Sequence, residues 1–494
     1  MLVEYGSVFM ILAVVLGFYM SWGIGANDVA NAMGTSVGSG AISVKQAIII
    51  AAIFEFSGAF LAGGHVTKTI RKSIIDPTPI MDQPEILVWG MLSALLAAAL
   101  WLTFASWMGW PVSTTHSIIG AIVGFAVVGI GVDAVNWSKI GTIVLSWIVS
   151  PLVGGTLAYL LMRSIQKFIL DSDTPFLNAK RYAPIYVFLV GFLLSLVTLF
   201  KGLKHLDITF SVGQSVFAAV IFGVLLAVIV RFMINRLKMK EAESIHDQFT
   251  QIEKIFGIMM IFTACAMAFA HGSNDVANGI GPMAAIVSIV ESGGEMAQKS
   301  NLPLWILLTG AVGIVLGLST LGYRVMQTIG SKITELVPTR GFSAELAAAA
   351  TVVIASRTGI PVSTTFLVLS AFASTVVLEK MLIKSVVGYG LAAVLAYVCW
   401  VIISKFINEK FDEITDQWKI TFWRNSVWVT SAFLWATWLM HDVANIAVYL
   451  PRQLNVLQLC AVIIYFTILL FYIFKIHGGP IQKVVLDKTG TRYA

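Results

Sequence analysis

The chain has 494 residues, 58% of them hydrophobic and only 12% charged, which excludes a water-soluble enzyme built around one ordinary core. Its net charge of +6 comes from basic residues in loops beside apolar runs, where lipid headgroups and the positive-inside rule account for them, so no nucleic-acid partner is expected. Cys265, Cys399 and Cys460 lie far apart inside apolar stretches, without disulfide or zinc-ligand spacing, and read as packing residues.

Crossing a bilayer takes about 20 mostly apolar residues per helix. In chain order such runs fall near 8–24, 46–64, 86–107, 112–132, 140–162, 184–200, 211–231 and 256–271, then 303–321, 343–356, 362–378, 385–404, 426–448 and 456–474. They predict an all-α polytopic membrane protein with about 12 or more membrane segments. The first basic residue is Lys45, so the first run lacks the positive flank of a cleavable signal and is expected to stay in the mature protein. The basic connections 163–181 and 231–254 are separated by two spans and belong on one face, which the charge rule makes cytoplasmic. The second of them reads as a solvated helical connector.

Residues 25–32 read GANDVANA and 272–279 read GSNDVANG, while PVSTT occurs at 111–115 and again at 361–365. The offsets, 275 − 28 = 247 and 361 − 111 = 250, are nearly equal, so the chain contains a duplication of about half its length. Seven apolar runs separate the two DVAN blocks, an odd number, which inserts the second copy upside down. The count stays odd if 86–107 and 112–132 form a re-entrant hairpin. The expected division is a first transport repeat at 1–165, connecting spans and linker at 166–250, an inverted second repeat at 251–410, and a membrane extension at 411–494. Inverted repeats mark secondary transporters, whose site lies near the midplane where the copies face each other.

Each G-x-N-D-V-A-N block puts polar groups inside an apolar run and predicts an interrupted helix lining a polar cavity. Asp28 and Asp275 have no basic partner nearby in sequence, and a buried carboxylate must be protonated or find a cation. They are the candidate cation or proton sites, with Asn27, Asn31, Asn274 and Asn278 adding amide oxygens suited to a hard cation such as sodium. The plainer alternative for the asparagines is hydrogen bonding between helices. No dedicated metal site or other cofactor is expected.

In each PVSTT block, Pro111 or Pro361 breaks a helix and Ser113, Thr114 and Thr115, or Ser363, Thr364 and Thr365, start the next. Simple capping would explain one copy. Two facing copies offer free N–H groups, positive dipole ends and hydroxyls that bind a tetrahedral oxyanion without lysine or arginine. An anion held between two aspartates needs accompanying positive charge, so this arrangement predicts obligatory cation co-binding. His116 follows the first STT whereas Phe366 follows the second, confining any proton handling there to one half. Glu55, alone between Lys45 and Lys68, is a further coupling candidate; Arg357 either attracts the anion or snorkels to an interface.

The segments GANDVANA, HGSNDVANGIGP and the two PVSTT blocks make the chain resemble the inorganic phosphate transporter (PiT) family of membrane symporters over about residues 1–405. The resemblance implies a dimeric inverted-repeat carrier in the inner membrane that moves phosphate with sodium or protons, in some bacterial members as a metal–phosphate complex. It places Asn27, Asp28, Asn274 and Asp275 in the transport site, with the six Ser and Thr residues facing the anion. Beyond about 410 the chain departs from the family pattern. There WLMHDVANIAVYLPR, with His441, Asp442 and Asn445, echoes the motif without a matching STT, as a truncated copy or an accessory bundle. A sulfate permease of the same fold, an uncoupled anion channel and a phosphate sensor are the alternatives. An intramembrane hydrolase using His116 is disfavoured because neither a nucleophile elbow nor a zinc motif accompanies it, and no P-loop points to ATP drive.

Overall fold

The computed structural model describes residues 2–76, 78–199, 210–237, 245–294, 302–332, 337–371 and 374–375. The third block with His441, Asp442 and Asn445, the extension 411–494, the spans near 385–404, 426–448 and 456–474, and the side chain of Arg357 lie outside the described residues.

The described residues are nearly all helix: α1 (Leu2–Gly38), α2 (Val44–Ala62), α3 (Gly64–Lys72), α4 (Pro84–Met108), α5 (Thr114–Gly129), α6 (Trp137–Ile165), α7 (Pro175–Val197), α8 (Val212–Asn235), α9 (Ile245–Glu291), α10 (Leu304–Thr320), α11 (Gly322–Lys332) and α12 (Pro338–Thr358). A further helix, α13, covers 364–371. Among the described residues the only extended pairing is one bridge between Ile75 and Val135. Seven of these helices are long and apolar enough to cross a bilayer, eight if α10 and α11, bent by 62°, count as one span.

The apolar surface faces outward. On α8, Phe217, Ile221, Leu225 and Val228 are each more than half exposed, which suits lipid and not water. The polar residues gather inside. Residues 23–36 of α1 and 266–287 of α9 are buried without interruption, because α1 and α9 pack on each other and α2, α4, α10 and α12 wrap around them. A helix buried on every side is expected at the centre of such a bundle. Lys180 Nζ donates to the Leu237 carbonyl at 2.6 Å, so the two basic connections meet, as the charge rule requires of segments on one face.

The helix breaks expected at the two DVAN blocks are absent. Both segments are continuous helix, and the non-helical dihedrals in α1 occur at Tyr5. The backbone groups keep their i→i−4 partners, so the polarity at this depth is carried by side chains, which neighbouring amides and hydroxyls satisfy. Breaks occur instead at the PVSTT blocks. There α4 ends at Gly109 (φ 70°) and α12 at Gly359 (φ 71°), both left-handed. The next helix restarts where the hydroxyl pattern predicts it: Ser113 Oγ accepts from His116 N at 3.2 Å and Ser363 Oγ from Phe366 N at 3.4 Å.

One close approach sets the inner geometry. A Cβ on Gly272 would lie 2.3 Å from the Glu55 carbonyl oxygen, so only glycine lets α9 press against α2 there. Gly272→Ala is therefore expected to lower the melting temperature of the detergent-solubilised chain through an overpacking cost of about 1–3 kcal/mol. Gly120→Ala, where a Cβ meets nothing within 4 Å, is the control. Equal melting of the two variants would remove the role given to this contact.

Candidate ion and substrate site

The two DVAN helices and the two hairpin turns converge at the centre, and each residue of the motif contacts a different partner. The Asn27 amide donates to Ser106 Oγ at 3.1 Å and to the Trp110 carbonyl at 2.9 Å, while its Oδ1 accepts from Val112 N at 3.0 Å. Asn274 repeats this in the other half, donating to Ser356 Oγ at 3.0 Å and the Ile360 carbonyl at 3.4 Å and accepting from Val362 N at 3.4 Å. These two amides fix the turns that precede α5 and α13.

The neighbouring aspartates hold the hydroxyl at each helix start. Asp28 Oδ2 accepts from Thr114 Oγ1 at 2.5 Å, and Asp275 Oδ2 accepts from Thr364 Oγ1 at 2.9 Å. One turn further along, the second asparagines reach across to the opposite hairpin. Asn31 donates to Thr364 Oγ1 at 3.2 Å and Thr365 Oγ1 at 2.9 Å, and also to Asp28 Oδ1 at 3.1 Å. Asn278 donates to Thr114 Oγ1 at 3.4 Å and Thr115 Oγ1 at 3.0 Å. The turns also touch directly, through Thr115 Oγ1 to the Val362 carbonyl at 3.1 Å and Thr365 Oγ1 to the Val112 carbonyl at 3.2 Å. Asp28, Asn31, Asp275, Asn278 and the two STT triplets thus form one buried cluster with near two-fold exchange of partners.

An asymmetric centre lies inside it. His271 is fully buried, with Nε2 at 3.0 Å from Asp275 Oδ2 and 3.9 Å from Asp28 Oδ2, and Nδ1 at 3.3 Å from Glu55 Oε1. Four residues before Asp28 the first copy has Ile24, so the imidazole belongs to one half alone. Ligating atoms of Asp28, His271 and Asp275 lie within 4.8 Å of one another, a spacing that could hold a metal ion. Glu55 Oε2, Asp275 Oδ1 and Asn278 Oδ1 are buried and accept no hydrogen bond among the described residues, while Glu55 Oε1 faces His271 Nδ1. Buried oxygens without donors are suitable ligands for a hard cation. Among the described residues the charge that can offset three carboxylates is one proton on His271, so ionising all of them requires a cation from outside.

Sequence reasoning missed His271 and Glu345. His271 stands in the quoted block HGSND, one helical turn before Asp275, and that spacing was the available signal. Glu345 lies on the part of α12 within the 343–356 run, where any acid is a functional candidate. Its Oε1 accepts from Thr35 and, at 2.6 Å, from Ser36, both two turns past Asp28 on α1, and its Oε2 accepts from Thr263 at 2.6 Å. His116, by contrast, faces away from the carboxylates. Its ring packs on Trp147 at 3.9 Å and near Phe366 at 5.2 Å, and Nε2 has no hydrogen-bond partner among the described residues.

Chemically, the site pairs oxygen ligands for a cation with two helix starts, each with one N–H capped by Ser113 or Ser363 and its other first-turn N–H groups without an intrahelical acceptor. Residues 24–407 match the model of the phosphate transporter family. A provisionally named phosphate permease of Haemophilus influenzae is 51% identical over 362 residues, covering 73% of this chain and 86% of that protein. An inorganic phosphate transporter of Arabidopsis thaliana, described as chloroplastic, is 42% identical over 376 residues, covering 72% of this chain and 63% of its own. A solved structure described as the sodium-dependent phosphate transporter superposes with a TM-score of 0.69 at 39% identity, covering 76% of this chain and 92% of that one. With this motif set, this helical membrane architecture and a match over most of its length, the chain belongs to the phosphate transporter family.

Proposed function

We propose that the chain is a cation-coupled symporter that imports inorganic phosphate, free or as a metal complex, across the plasma (inner) membrane. The two repeats are inverted, the α4–α5 and α12–α13 hairpins are re-entrant, and the working unit is a homodimer. The carrying observation is that each aspartate shares a hydrogen bond with the first threonine of one hairpin: Thr114 with Asp28 and Thr364 with Asp275. A cation drawn to Asp28 and Asp275 withdraws those carboxylates from the threonines and frees the hydroxyls to donate to phosphate. The bound anion in turn offsets the cation's charge. Each ligand thereby raises the affinity of the other, which is the linkage that symport needs. Asn31 and Asn278 carry the response across the midline, while Asn27 and Asn274 hold the turns in register. Ser113 and Ser363 each cap one first-turn N–H and leave the remaining N–H groups of the helix starts for the anion. Glu55 and His271 set the charge of the centre.

Sodium is the favoured co-substrate, supported by the hard oxygen donors of the site and by the sodium-dependent relative. The test is uptake of labelled phosphate by the purified full-length chain in proteoliposomes, with sodium and proton gradients imposed separately. Accumulation above equilibrium under the sodium gradient is expected, with an equal concentration of sulfate a poor competitor. Equilibration without accumulation under either gradient would identify a channel, and preferential competition by sulfate would reassign the cargo.

A further inference from the structure

Away from the transport site, a cavity of about 240 Å³ opens between the end of α6, the start of α9, the start of α12 and residues 374–375. Arg163 and Arg340 both line it, together with Gln166, Asp171, Met162 and Phe249. The ion pairs among the described residues all involve His271, so neither guanidinium is tied to a carboxylate there. Arg163 Nη1 donates to Gln166 Oε1 at 3.0 Å, which orients the guanidinium without neutralising it. Glu253 is the nearby countercharge to Arg340, but its two oxygens already accept from Thr339 N and Oγ1 at 2.8 Å each. Among the described residues that line it, one acid, Asp171, stands against two arginines.

Its position narrows the ligand. Phe249 begins the apolar stretch of α9, Met162 lines the cavity with it, and Arg163 opens the basic connection, a combination expected near a membrane–water interface. The volume falls below the about 300–1,000 Å³ of sites for drug-sized ligands and suits a single compact group. Two arginines lining one compact cavity favour a phosphate oxyanion, which a guanidinium fork can bind through two N–H bonds.

We propose that this cavity is a second anion site that binds one phosphate group, from an anionic phospholipid headgroup or from inorganic phosphate, and ties the ends of α6, α9 and α12 together. It is separate from the transport site, and its occupancy does not depend on the symport reading.

The test titrates the purified full-length chain in detergent with dioctanoyl phosphatidate, dioctanoyl phosphatidylcholine or inorganic phosphate, using calorimetry. Wild type is compared with Arg163→Gln/Arg340→Gln. At least a tenfold weaker phosphatidate affinity in the variant supports the site with lipid as its source. Loss of one of two phosphate-binding events per chain supports the soluble source, and both changes together support the shared chemistry. Identical titrations of the two proteins overturn the proposal, as does phosphatidylcholine binding wild type as tightly as phosphatidate. Should the double variant fail to fold, Arg163→Gln and Arg340→Gln are each read by the same titrations, with the same outcomes deciding. Phosphate uptake by the variants is the independent readout: its loss would place the arginines in the transport path and overturn the separation claimed here.

Discussion

Asp275→Asn is expected to abolish phosphate accumulation, lowering uptake by on the order of 100-fold, the upper end of what groups orienting a bound metal contribute. The substitution keeps the size and hydrogen-bonding capacity of the side chain, so Thr364 retains a partner and the hairpin its position. What disappears is one full negative charge beside His271 and Asp28. A cation then meets one carboxylate fewer in a low-dielectric interior, where such a difference outweighs the small change in packing. The melting temperature should hold while sodium-dependent stabilisation by phosphate vanishes. Unaltered accumulation in this variant would refute the coupling role of the carboxylate.

His271→Gln should have the largest structural effect. The imidazole is fully buried and faces Glu55 on one side and two aspartates on the other. Removing one partner of a buried charge pair costs about 3–5 kcal/mol, because the other charge stays behind uncompensated. The single variant is therefore expected to melt well below wild type and to transport nothing. Glu55→Gln in the same chain removes the stranded charge and should restore much of the stability without restoring uptake. A double-mutant cycle on melting temperature measures this coupling directly. If the two effects simply add, Glu55 and His271 are not a pair and the asymmetric centre is wrongly assigned.

The structure also separates two kinds of polar residue that the motif presents together. Asn27 and Asn274 have their amides engaged by the turns, whereas Asn31 and Asn278 reach the threonines of the opposite hairpin. Side chains of one type, four positions apart on one helix, thus reach different partners because the two positions, though on one face, are about 6 Å apart along the axis. Glu345 continues the polar track beyond Asp28 through Ser36, so α1 and α12 share a second buried carboxylate two turns from the first.

By itself the sequence determined that the chain is a helical membrane protein, that the DVAN and PVSTT blocks each recur, that helices restart at Ser113 and Ser363, and that Asp28 has no basic near neighbour; the same expectation for Asp275 is overturned by His271, one turn before it and 3.0 Å from its Oδ2. These follow from composition, repetition and capping, which are local or statistical properties of the string. Tertiary structure alone decided that the DVAN helices run unbroken and that each threonine of one hairpin lies within reach of an asparagine from the other half. It also decided that Glu55 meets His271. An unbroken helix and an interrupted one share the same polar pattern; what distinguishes them is whether distant side chains arrive to satisfy that polarity, and no local pattern encodes the arrival.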